Sequence, residues 1–452
     1  MCAALNGDKS SCSNDNHWVE TDPTFQPPPQ VAQVSPVRRR GLEVVVLLLL
    51  LLAFRTLAMS WADAKDQHPS TDDFTADYVS ARAFDHGANA YGELLPLARR
   101  YLDSRQGVSS FIGDVNRRNP HPPAYLLMVA PLAELPYAFA RNIWLILMAI
   151  SVASAMGIVA ITSGASRMTA AAVALGSLAL PPVVFDLKLG GADVLVLLAV
   201  VIAWQQIGKG REVFAGVALG AASALKLYPL FLVIPLLRRR NVKAVFAQVS
   251  TTAIVTAVAG LALGFSTTVH FLSKAMPANT RYWLTDPHNF ALVAVPFRWL
   301  TRSNWNIGSV DAPLLANTLA VGLVILCLAA ALATPARQSE DLLWATTPWM
   351  LLISPLFWYQ YTVLVLPLIY LILRNHFIRR SVPQWPVALA IGLLLMWTLE
   401  SSPPGTHHSV LDLALVFALP AYGVIILGLS EWGRSPKDLQ AMSELAAEAS
   451  AS

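Results

Sequence analysis

The sequence predicts an all-α polytopic membrane protein, on three observations. Of its 452 residues 55% are hydrophobic and only 13% charged, against roughly 25% charged in a soluble domain. The apolar residues fall in runs long enough to cross a bilayer, punctuated by short basic clusters. The polar residues that remain collect on one side of the topology those runs imply. The net charge of +4 therefore reports topology rather than a polyanionic ligand, and no nucleic-acid partner is implied. Cys2, Cys12 and Cys327 are too few and too scattered for a disulfide framework or a metal cluster.

Residues 1–40 are polar and proline-rich and read as a disordered cytoplasmic tail. An apolar run of about 20 residues spans the ~30 Å hydrocarbon core, and Lys/Arg clusters favour the cytoplasmic side. Gly41 to Met59, preceded by Arg38, Arg39 and Arg40, is thus an anchor that starts inside rather than a cleavable signal. The stretch to residue 138 is then extracytoplasmic, with the short, proline-broken AYLLMVAPLAEL laid at the outer surface. Residues 139–162, 168–187 and 190–206 cross in turn, with GGAD at an outer turn. Residues 213–237 begin and end beside basic clusters, so they are expected to make two short passes meeting at ALKLYP. Residues 244–264 lead out to a second outer region, 265–311. The segments 312–333, 342–356, 361–373, 384–400 and 409–430 complete a membrane domain of about twelve crossings. Both termini are cytoplasmic in this reading, the last 22 residues (431–452) as a tail.

The outer turns then hold Asp72, Asp73, Asp77, Arg82, Asn119, His121, Asp186, Lys188, Asp193, Lys226, Tyr228, His288, Asn289, Tyr359 and Gln360. An ionisable group at membrane depth is a functional candidate by default. Lys226 has no carboxylate near it in sequence, so the fold or an anionic ligand must supply its counterion; snorkelling to the interface is the alternative. STDD before FTADYVSARAF is a helix start in which Asp72 caps, Asp73 opens the first turn and Asp77 follows on the same face. From spacing alone, binding or catalysis by these carboxylates and mere capping are both open. The histidines lack H-x-x-x-H spacing, so no zinc site is expected.

One series of motifs is more specific. DF-x(3)-Y, AR, G-x(3)-Y, a PP-initiated apolar segment, W-L-x-L, G-x-AD, GR-x(3)-AG-x(2)-LG-x(3)-ALKLYP-x(8)-RRR and SP-x(2)-W-x(2)-Y, between about residues 70 and 375, resemble glycosyltransferase family 87. These are GT-C-type membrane enzymes that use polyprenyl-phosphate sugars, and they include mannosyltransferases acting on phosphatidylinositol mannosides. The resemblance implies a GT-C-type helix bundle in a bacterial plasma membrane, with its active site outside. It implies transfer of a hexose, mannose first, from a polyprenyl-phosphate donor to a lipid or glycan acceptor among membrane lipids, with inversion and no cofactor; because the phosphate is a good leaving group, a metal is not obligatory. It makes Asp73 the catalytic base. Lys226, Arg82 and His121 become groups for the donor phosphate, and Asp77, Asp193, Tyr228, Gln360 and Tyr361 substrate-binding positions. Such chemistry needs one positioned carboxylate, and cationic or hydrogen-bonding groups around the departing phosphate. Two departures stand out: Gln360 replaces a common histidine, and Gly190-Gly191 replaces a usual Gly-Gln. The rival reading is a transporter of a lipid-linked sugar, for which paired internal repeats are expected and none is found.

Overall fold

The computed structural model describes residues 73–102, 117–303, 311–335, 341–378, 385–395 and 419–430, together with Arg55. The expected tails and the first anchor, 41–59, lie outside the described residues apart from Arg55, as does Asp72. Every regular element among the described residues is a helix and none is a strand. In chain order the first four are α1 (Asp73–Asp85), α2 (Leu94–Tyr101), α3 (Pro123–Ala133) and α4 (Tyr137–Thr162). Then come α5 (Arg167–Ser177), α6 (Pro181–Leu189), α7 (Asp193–Gly208), α8 (Glu212–Leu225), α9 (Val233–Arg238) and α10 (Val242–Ala262). After them α11 (Phe265–His270) runs through a π turn, Phe271–Ala275, into α12 (Met276–Trp283). The remainder are α13 (Val295–Leu300), α14 (Pro313–Ala333), α15 (Asp341–Ile353), α16 (Leu366–Ile378), α17 (Trp385–Leu395) and α18 (Leu419–Ser430). Prolines at the first turns of α3, α6 and α14 start helices where a missing N–H costs nothing.

Helices α4, α10 and α14 are long and apolar enough to cross a membrane, and α5 with α6, bent by 55°, makes a fourth if taken as one broken span. Their exposed side chains are those lipid would solvate: Ile150, Phe246, Ile254, Leu261 and Leu314 are all more than half exposed. Among the described residues the remaining apolar helices are shorter, so these lengths support a polytopic membrane protein without extending to twelve crossings. At 11 residues α3 is about 16 Å long, short of the hydrocarbon thickness. The expected break in 213–237 is present. Helix α8 ends at Leu225, Lys226 is extended (φ −140°, ψ 134°), and Pro229, which has no N–H to donate, opens a 3₁₀ turn, Tyr228–Leu232, before α9.

Close helix packing holds this break in place. Gly216 and Gly220 lie four apart on α8, and α10 comes so near that a Cβ on Gly220 would stand 2.6 Å from the Gln248 carbonyl, while one on Gly216 would strike the Ala244 carbonyl. Gln248 is itself buried and donates to the Pro229 carbonyl at 3.1 Å, so α10 grips the turn beyond α8 directly. On the other side α1 lies against α3 and α4 through a buried aromatic group. Phe74 stacks on Trp144 at 5.6 Å, and Tyr125 meets the same indole edge-on at 5.9 Å.

Candidate functional site

Two polar half-sites face each other across these helices. The first is built on α1 and the segment before α3. Asp77 is wholly buried; its carboxylate accepts from His121 Nδ1 (2.8 and 3.1 Å) and from the Asn119 amide (2.9 Å). Asn119 also donates to Ser80 Oγ at 3.1 Å and accepts from the His121 backbone N–H at 2.8 Å. That last bond closes an Asx turn, which lets Asn119 brace the histidine that follows it. The Tyr91 hydroxyl, donating to the His121 carbonyl at 2.8 Å, completes the clamp.

The second half-site gathers at the ends of α6, α7 and α8. Asp193 is wholly buried at the start of α7. Lys226 Nζ donates to both its oxygens, at 3.0 and 2.9 Å, and the Tyr228 hydroxyl donates to Oδ1 at 2.7 Å. The ammonium also lies 4.6 Å from the centre of the Tyr361 ring, within cation–π reach, and that ring packs on Tyr228 at 5.2 Å. Asp186, on α6, caps α7 by accepting the Val194 N–H at 3.1 Å, while its other oxygen is buried without a hydrogen bond. Gly190 takes the left-handed conformation (φ +72°) that ends α6, and its carbonyl accepts from the Trp144 indole at 2.8 Å. A Cβ on Gly191 would collide with Asp186 Oδ1 and stand 3.4 Å from Asp193 Oδ2. The Gly-Gly departure thus has a physical cause, since two buried carboxylates flank the position.

Asp73 stands between the halves. It lies one helical turn before Asp77, yet it is only half-buried and no described residue hydrogen-bonds its carboxylate. Burial raises its carboxyl above the ordinary aspartate range, and its neighbours His121, Lys226 and Arg117 offset part of that rise. Of the expected site residues, Asp73, Asp77, His121, Asp193, Lys226, Tyr228 and Tyr361 come together. Gln360, next to Tyr361 in the buried 3₁₀ turn Tyr359–Val365, sits on the same element. Arg82 does not join them. It is nine residues from Asp73, about 13 Å along α1, and its guanidinium is engaged by the Tyr78 hydroxyl and the Ala133 carbonyl. The counterion of Lys226 comes from the fold, as Asp193, rather than from a ligand. From sequence, Asn119 and Asp186 were placed among the outer-turn polar residues without a site role and Arg117 was not singled out; N-P-H-P-P, an Asx-turn signature before a proline-started helix, was the available signal for Asn119. Among the described residues no three His, Cys, Asp or Glu side chains are placed to hold a metal ion.

Long apolar helices around two buried polar half-sites, with one half-buried carboxylate between them, define a helical membrane protein with a concentrated polar cluster. Residues 120–355, slightly more than half of the chain, match the sequence model of glycosyltransferase family 87, and the chain belongs to that family. No curated protein matches it, and no solved structure does. The matched segment contains His121, Asp186, Asp193, Lys226 and Tyr228, whereas Asp73, Asp77, Arg82, Gln360 and Tyr361 lie beyond its ends.

Proposed function

We propose that this membrane glycosyltransferase moves a hexose, mannose in the first place, from a polyprenyl-phosphate donor to a lipid or glycan acceptor. The reaction proceeds with inversion on the extracytoplasmic face of a bacterial plasma membrane, and Asp73 is the general base. One observation carries the reading. Of the four carboxylates of the two half-sites and the helix turn between them, Asp77, Asp186 and Asp193 are wholly buried and structurally bonded, and Asp73 alone is half-buried with no hydrogen bond from a described residue. A base needs an accessible lone pair and a raised proton affinity. In a single displacement the acceptor hydroxyl proton passes to Asp73 and its oxygen bonds to the anomeric carbon. The bond from that carbon to the phosphate oxygen breaks, and its electron pair leaves with the lipid phosphate. Lys226 and His121 are the groups in reach of that developing charge, and the buried carboxylates behind them hold their orientation. Arg82, at the far end of α1, has no part in this step.

The test is transfer by purified protein in lipid, with radiolabelled polyprenyl-phosphate mannose, glucose and arabinose supplied in turn and total membrane lipid as acceptor. One donor should give transfer, and Asp73→Asn should lower it by about 10²–10⁴-fold while the protein stays folded. A fully active variant, or no transfer from any donor, would sink the reading.

A further inference from the structure

Next to the two half-sites is a third group of side chains to which the displacement gives no role. Trp283, at the end of α12, and Trp358, just before the 3₁₀ turn Tyr359–Val365, meet at 5.4 Å with their ring planes at 83°. The Arg117 guanidinium lies over the Trp283 ring at 5.4 Å. All three are half-buried, in contrast to the core aromatics Phe74, Tyr125 and Trp144, which are buried completely or nearly so.

The corner is held rigidly from behind. Asn289, wholly buried, donates to the Trp283 carbonyl (3.2 Å) and the Pro355 carbonyl (3.0 Å), and accepts from the Ala291 (3.1 Å) and Phe357 (3.0 Å) backbone N–H groups. The Phe290 N–H adds a bond to the Phe357 carbonyl at 2.7 Å. One amide thus locks together the two segments that carry the indoles. The corner also borders both half-sites. Trp358 precedes Tyr361 by three residues, about 6 Å at the 3₁₀ rise, and the Tyr361 ring faces Lys226. Arg117 precedes Asn119 by two, and Asn119 holds Asp77 one turn from Asp73.

Perpendicular, partly open indoles with an arginine on one face suit a pyranose. Its axial C–H face packs on an indole, and its vicinal hydroxyls accept from a guanidinium. We propose that Trp283, Trp358 and Arg117 form the subsite that seats a sugar ring of the acceptor. The placement as an acceptor subsite rests on the transferase reading; the affinity for a sugar ring does not.

Saturation-transfer NMR with methyl α-mannopyranoside on the lipid-embedded protein tests the affinity without any turnover. Wild type and Asp73→Asn should both saturate the ring C–H protons, and the signal should fall by more than half in Trp283→Leu/Trp358→Leu and in the single variant Arg117→Gln. No ring-proton signal in wild type, or an undiminished one in all these variants, overturns the subsite. In the transfer assay, Trp358→Ala should raise the half-saturating acceptor concentration on the order of tenfold, with donor half-saturation unchanged and Trp358→Phe recovering most of the loss. Equal shifts for donor and acceptor would place the corner elsewhere in the cycle. Absence of transfer in wild type would count against the transferase reading, while the NMR result still decides the sugar site.

Discussion

Asp77 and Asp193 are both wholly buried and both meet a nitrogen at hydrogen-bond distance, 2.8 Å from His121 and 2.9 Å from Lys226. Their settings differ. Asp77 shares its charge with an amide, and its basic neighbour is a histidine, which can be neutral, so the network keeps its bonds in either protonation state. Asp193 faces an ammonium, with a second buried carboxylate, Asp186, across Gly191. Its stability depends on the full charge of Lys226. Burying ions is offset only while every member of the group is present. The first half-site is therefore a tolerant clamp and the second a brittle ion cluster.

The largest effect should follow from removing the cation of the brittle half. Lys226→Met leaves Asp193 uncompensated and is expected to cost about 3–5 kcal/mol; Lys226→Met/Asp193→Leu should recover most of it. Thermal unfolding in lipid reads both, and equal loss in the single and double variants would contradict the ion-cluster account. Next comes Gly191→Gln, which restores the residue more usual in the family but drives a side chain into Asp186. A loss of about 1–3 kcal/mol is expected, and an unchanged melting temperature would mean that α6 yields easily. Asp77→Asn keeps an acceptor for Asn119 or His121 and should cost only about 1 kcal/mol. A loss as large as that of Lys226→Met would erase the distinction between the halves.

The smallest effect is on pH dependence, and it isolates Asp73. Its carboxyl is raised by burial, so the carboxylate that acts as base is lost on acidification sooner than a solvated aspartate would be. The acid limb of kcat/KM should lie above the ordinary aspartate range. Arg117→Gln removes one of the charges that lower it and should move the limb further up. For the same reason the ionised form of Asp73 costs folding stability above the unfolded-state value, and that cost disappears as pH falls through the raised folded-state value. Asp73→Asn should then be at least as stable as wild type at neutral pH. A destabilised Asp73→Asn would show that the group is a structural member of the clamp.

Much of this was legible in the chain itself. Apolar runs and basic clusters gave the helical membrane class, because only helices or closed barrels satisfy their backbone groups in hydrocarbon. ALKLYP marked a helix break, since Pro229 cannot donate into a preceding turn, and the cluster's residues Asp73, Asp77, His121, Asp193 and Lys226 were named from the same polar surface. Pairing was another matter. Whether Lys226 met a ligand or Asp193, 33 residues away, depended on how the end of α8 meets the start of α7, and Arg82 was taken by the Ala133 carbonyl at the end of α3. Local sequence sets which residues are polar and where helices start and stop, because those effects act within a turn or two. Only the packed bundle decides which buried charges face each other and which carboxylate stays open, because burial and distance are properties of the whole fold.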